Sequence, residues 1–238
     1  MKKFNIIINK IIIILFLTTG SLHSAEMTDP IKVDWSFKGI TGTFDRASLQ
    51  RGFQVYKEVC SSCHSMQYLS YRNLGEPGGP EFTEAEVKAI AASFEVTDGP
   101  DNQGEMFTRP GKPSDIFVSP HPNKEAAAAA NGGAYPPDMS VLVKARKGGA
   151  NYIYSVLVGY EEPPPDVKLD PGVYYNKYMI GNKIKMPNNL EDGLVEYADG
   201  TESTVDQMAK DVTTFLAWAA EPELEERHRT GVKVIIYL

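Results

Sequence analysis

The sequence predicts a mainly α-helical domain threaded with long loops. Apolar residues recur at helical spacing in two well-separated stretches. Leu49, Phe53, Tyr56 and Cys60 lie near the start, and Met208, Val212, Phe215 and Ala219 near the end, with Val205 ahead of them. Most of the 20 glycines and 16 prolines of the 238-residue chain fall between these stretches, where they punctuate the backbone into turns. With 42% hydrophobic and 23% charged residues the composition is that of a globular protein, and neither an internal repeat nor a second domain is visible.

Residues 1–25 read as a secretory signal peptide. Lys2, Lys3 and Lys10 give a basic start, residues 11–17 form an unbroken apolar run, and small residues lead to a cleavage point at Ser24-Ala25. His23 is large for a position three before the cut. An uncleaved anchor is the competing reading, but a span needs about 20 apolar residues. Removing the leader takes away three lysines and no acids, which moves the formal charge from −7 to −10. Such a chain is not expected to bind nucleic acid, which needs basic surface. Net acidity suits solubility, and it also steers basic partners.

The remaining elements follow in order. Residues 26–43 form an extended entry in which Trp35 and Phe37 alternate like a short strand. Asp45 or Ser48 caps the first helix, which delivers Cys60 to its C-terminal end. Thr83 and Glu86 form a capping box ahead of Val87, Ile90, Ala91 and Phe94. Residues 95–125 are a long Gly/Pro-rich loop, and five alanines at 126–130 favour helix. Helical patterns resume over 138–147 and 151–159. Residues 163–165 are a polyproline-like linker, and the last helix of the domain covers 204–219.

The only two cysteines of the chain lie in Cys60-Ser61-Ser62-Cys63-His64. C-x-x-C-H is the signature of c-type haem attachment. Two thiols at this spacing reach the two vinyl groups on one porphyrin edge, and the next residue presents an imidazole to the iron. A structural zinc site needs four ligands, and the other histidines, His23, His121 and His228, are scattered. A thioredoxin-like pair needs a strand before it, and the residues before Cys60 do not read as one.

His64 leaves the opposite face of the iron open, so the methionines matter. His/Met ligation marks electron-transfer cytochromes and raises the potential. Met66 is held on the His64 side, Met208 lies on a core-facing stripe, Met139 stands at a helix entry and Met106 in a Gly/Pro stretch. Met186 and Met179 remain. Pro187 stiffens the backbone after Met186 and favours it. Met179 follows an aromatic run that suits a wall better than a ligand.

These residues resemble the cytochrome c1 family, the haem subunit of ubiquinol–cytochrome c reductase (respiratory complex III), in its bacterial form. The resemblance runs from Phe44 to Leu238. It includes FDRASLQRGFQVYKEVCSSCHSMQYLSYRNL (44–74), NGGAYPPDMSVLVKARKGGANYIYSVLVGY (131–160) and stretches over 163–190 and 211–238. It implies a cytochrome c-like haem domain over residues 26–230 with one covalent haem c. Met186 matches the distal ligand, Arg146 the arginine that pairs with a haem propionate, Tyr152 a propionate-binding tyrosine, and Pro136 and Pro137 the prolines packed on the haem. On residue type alone, Arg146 reads as an exposed charge, and Tyr152 and the prolines as ordinary packing.

The resemblance also implies partners: cytochrome b, a Rieske iron–sulfur protein as donor, and a c-type cytochrome as acceptor. It implies a place at the periplasmic face of the inner membrane and a C-terminal anchor. Residues 231–238 look like the start of that anchor, and eight residues cannot cross a bilayer. The alternative is a free exported c-type electron carrier. A haem enzyme with an open distal site is a third reading. Two acidic groups are candidates for docking the acceptor: Glu161, Glu162 and Asp166, and the stretch 98–105.

Overall fold

The computed structural model describes residues 28–238, so the expected signal peptide and its cleavage point lie outside the described residues. Helix α1 (Arg46–Glu58) and helix α5 (Val205–Ala220) cross at the centre of the molecule. Around them, in chain order, are α2 (Glu84–Ala92), the hairpin β1 (Glu95–Asp98) and β2 (Phe107–Pro110), α3 (Lys124–Ala130) and α4 (Ala150–Val158). A two-residue antiparallel ladder of β3 (Tyr174–Tyr175) and β4 (Lys183–Ile184) precedes α5, and α6 (Leu224–Tyr237) follows it. The protein is mainly helical with long connections, as the periodicities predict.

Asp45 caps α1, its Oδ1 accepting from Ser48 N at 2.7 Å. Thr204 caps α5 through Gln207 N at 3.1 Å. The two helices approach closely because residue 52 is glycine. A Cβ there would lie 2.1 Å from the Asp211 carbonyl oxygen. Beside this contact Arg51 clamps the buried Asp211 with two bonds, Nε to Oδ2 at 2.8 Å and Nη2 to Oδ1 at 3.1 Å. Phe53 meets Phe215 edge-on at 5.7 Å, and Tyr71 stacks on Phe117 at 4.7 Å, so the core is largely aromatic. Met208, Val212, Phe215 and Ala219 are all buried, as their spacing predicts.

Four local expectations are corrected. Trp35 and Phe37 are buried but pair with no strand among the described residues. Instead the entry segment straps α4, with Trp35 Nε1 donating to Asn151 Oδ1 at 2.7 Å and Ile31 N to Ser155 Oγ at 2.8 Å. The expected loop 95–125 contains the β1–β2 hairpin, in register from Glu95↔Pro110 to Asp98↔Phe107, and the first two residues of α3. Residues 138–147 form turns, not a helix. Met139 N is committed to Ser65 O at 2.8 Å, and the other main-chain bonds there close single turns, such as Leu142 N to Met139 O and Lys144 N to Val141 O. Gly148 and Gly149 then hold φ of 93° and 55°, conformations that suit glycine and break any continuous helix before α4. Finally, α1 ends at Glu58, and the first cysteine lies just beyond it in a 3₁₀ turn, Cys60–Ser62.

Helix α6 is tied to α1 by a bidentate pair, Arg46 Nη1 and Nη2 to Glu225 Oε1 and Oε2 at 2.7 and 2.8 Å. Its last residues, 234–238, are apolar and exposed. No helix among the described residues is long and apolar enough to cross a membrane.

Candidate functional site

A cavity of about 630 Å³ opens between the 3₁₀ turn after α1, the turns over 136–146, α4, and the loop carrying β3 and β4. That size suits a cofactor pocket, about 300–1,000 Å³. All eight residues singled out from the sequence border it: Cys60, Cys63, His64, Pro136, Pro137, Arg146, Tyr152 and Met186. They come from four separate segments of chain, so the fold brings together what the sequence keeps apart. Met179, the other open candidate, borders it too. Apolar side chains including Leu142, Val156 and Leu216 complete the wall.

The 3₁₀ turn arranges the motif. Cys63 N and His64 N both donate to Cys60 O, at 3.1 and 2.9 Å, which turns both thiols and the imidazole toward the same space. Both thiols are free of any disulfide. Burial, with Cys63 adding to it, pushes the Cys60 thiol up to about 12, so this thiol stays protonated at neutral pH.

His64 is buried, and its Nδ1 lies 2.8 Å from Pro137 O. With Nδ1 donating to that carbonyl, Nε2 carries the lone pair, the form in which imidazole binds a metal. Burial lowers the pKa of the ring, outweighing the opposing effect of the Pro137 carbonyl, and so favours the neutral form. Pro137 therefore has a second task besides forming the wall, and its backbone oxygen was not readable from residue type. Asp138 follows. Its burial opposes ionisation, but hydrogen bonds from Ser140, Gln67 and Ser65 outweigh it and lower its pKa.

The two thioethers are held differently. Tyr152 Oη donates to Met179 Sδ at 3.2 Å, so that sulfur already has a partner. Met186 is held by its main chain: Tyr160 Oη donates to Met186 O at 2.9 Å, and Pro187 follows. Tyr160 is a site residue that sequence reasoning missed, because its role is visible only once residues 160 and 186 are neighbours. Lys185 Nζ donates to Gly132 O at 3.2 Å and closes one edge. Arg146 is exposed at the rim. It lowers the pKa of Tyr152, though the larger effect of burial raises it.

The donor set fits a covalently held haem: two thiols, one neutral imidazole and a thioether around an apolar cavity. A helical domain built this way has the make-up of a single-haem, c-type electron-transfer protein. The Cytochrome C1 family profile matches residues 35–238, and the chain belongs to that family. It is 54% identical over 224 residues to a Solanum tuberosum mitochondrial cytochrome c1 heme protein, covering 94% of this chain and 85% of that one. It is 50% identical over 223 residues to cytochrome c1 of Rhodospirillum rubrum, covering 87% and 81%. It is 48% identical over 247 residues to a cytochrome b/c1 of Bradyrhizobium diazoefficiens, covering 94% of this chain but only 36% of that longer protein.

Proposed function

We propose that this chain is the haem c electron-transfer subunit of a quinol–cytochrome c reductase, taking electrons from a Rieske iron–sulfur protein and passing them to a c-type cytochrome. The observation that carries this reading is the convergence of Cys60, Cys63, His64 and Met186 on one apolar cavity in a chain of the Cytochrome C1 family. The relative named cytochrome b/c1 supports a partnership with a cytochrome b. When bound, the haem supplies a one-electron couple.

The chain's own residues do the rest. Cys60 and Cys63 would hold the cofactor covalently through thioethers. His64 would bind the iron through Nε2, with its tautomer set by Pro137 O. Met186 would supply the second protein ligand to the iron, and Tyr160 and Pro187 hold its loop. Arg146 at the rim and the buried Tyr152 would balance and bind the propionates, and Pro136 and Pro137 would pack on the ring. The apolar wall excludes water and limits the reorganisation that accompanies a change of iron charge. No substrate bond is made or broken by this subunit.

In this reading residues 1–25 direct export, 26–230 form the haem domain, and 231–238 begin a membrane-seeking segment at the periplasmic face of the inner membrane. The exposed apolar residues at 234–238 support that last assignment. The test is purification from native membranes in mild detergent, with identification of the accompanying chains. A b-type haem protein and an iron–sulfur protein are expected to co-purify. Recovery of the chain alone in the soluble fraction would instead identify a free exported carrier.

A further inference from the structure

The segment that follows His64 is sewn to the segment that follows Pro137, and the Asp138 side chain makes two of the stitches, with Tyr68 N to Ser140 Oγ at 3.1 Å a further one. Asp138 Oδ2 accepts from Ser65 Oγ at 2.8 Å and from Gln67 N at 2.9 Å. Its Oδ1 accepts from Ser140 N at 2.9 Å. The backbone adds Met139 N to Ser65 O at 2.8 Å. On that side all of these contacts lie within three residues of the Pro137 carbonyl, the group that receives His64 Nδ1 at 2.8 Å. Ser65 is the residue next to His64. The imidazole and its acceptor are thus fixed relative to one another by a carboxylate that touches neither the ring nor the thiols.

We propose that Asp138 is a positioning residue for the His64 imidazole: it holds the Pro137 carbonyl against Nδ1 and so sets how strongly the ring donates to the iron. The inference rests on His64 being the iron ligand. A strong Nδ1–H···O bond raises the basicity of a ligating imidazole. A more basic ring favours the more highly charged, oxidised iron. The negative charge of Asp138 acts in the same direction. Loss of either shifts the couple toward the reduced form. Asparagine at this position keeps the size but loses the charge, and its amide NH₂ faces a donor that the carboxylate accepts from.

The test uses the holoprotein in detergent, carrying Asp138→Asn or Ser65→Ala. Covalent haem and the His/Met absorption signature are recorded first, then the midpoint by redox titration, then the His64 Nδ1 resonance in ¹⁵N-labelled reduced protein. For D138N the reduced-to-oxidised ratio at fixed ambient potential is expected to rise several-fold, a tenfold rise being about 59 mV for one electron. The Nδ1 resonance is expected to move toward a weaker hydrogen bond. S65A keeps the charge and removes one stitch, so it is expected to shift both readouts less and in the same direction. It also stands alone if D138N fails to fold. A residue with only a structural role would lower stability and leave both readouts of the folded protein in place. An unchanged midpoint and resonance in the folded variants, with haem attached and His64 bound, overturns the inference while leaving the function intact. A parent protein without iron–imidazole ligation overturns both.

Discussion

Gly52→Ala separates helix propensity from helix packing. In an isolated helix, alanine is favoured over glycine by about 1 kcal/mol. Here the added methyl would sit 2.1 Å from Asp211 O and 2.8 Å from the Phe215 Cβ. Ordinary contacts between such atoms are near 3.5 Å, so α1 and α5 must part by roughly an ångström or more. Overpacking alone costs about 1–3 kcal/mol. The displacement also pulls Arg51 from Asp211, a clamp whose bonds are 2.8 and 3.1 Å and whose acid is fully buried. Leaving such a charge unpaired costs about 3–5 kcal/mol if the separation is complete. With partial relaxation and the propensity gain set against these, the net loss is about 2–5 kcal/mol. That is a large share of a total stability of about 5–15 kcal/mol. The assay is urea unfolding of parent and variant followed by circular dichroism, with the slopes compared to confirm two-state behaviour. A variant as stable as the parent, or stabilised by the propensity gain, refutes the close crossing at Gly52.

Two further outcomes are expected. Hydrogen bonding and charge from Arg109 hold the Asp115 carboxyl down at about 2, below its ordinary 3.8. A depressed carboxyl contributes stability above the ordinary value and loses it as pH falls through the folded one, so the urea midpoint is expected to drop between about pH 4 and pH 2. Arg109→Gln is expected to flatten that drop, and an unchanged profile counts against the pair. Glu161, Glu162 and Asp166 are exposed and close in sequence to Tyr160 at the cavity wall. Replacing the three by their amides is expected to slow reduction of a basic cytochrome c several-fold at low salt and little at high salt. Equal rates at low salt exclude this cluster as the docking site.

The sequence was most informative where structure is local. The capping box at α2 forms in both directions, with Thr83 N donating to Glu86 Oε2 at 2.7 Å and Glu86 N to Thr83 Oγ1 at 3.3 Å. The stripe on α5 is buried because its period matches one helical face. The cysteines and His64 lie within five residues of chain, so the motif that brings them to one cavity was legible at once. The β1–β2 hairpin was not, because its residues are exposed or half-buried and lack a clean apolar alternation. Arg109 of β2 bonds to Asp98 of β1 and to Asp115 beyond the hairpin, and so ties the ladder to the chain that follows it. The turns at 138–147 mimic a helix because Met139 and Leu142 both face the cavity, while their backbone is committed to residue 65 and to local turns. Asn176 carried no signal at all. It is fully buried and joins the β3 loop to α4 through Val156 O at 2.7 Å, a contact between distant positions. The choice between Met186 and Met179 rested on one proline in the sequence. The structure adds the Tyr152 hydroxyl on Met179.

The most direct measurement is the absorption spectrum and midpoint potential of the holoprotein carrying Met186→Leu, set beside Met179→Leu. With Met186 on the iron, M186L is expected to lose the thioether-to-ferric-iron charge-transfer band and to fall in potential, while M179L keeps both. An M186L protein with unchanged band and potential contradicts the site as described, and loss of the band in M179L alone would move the ligand to Met179.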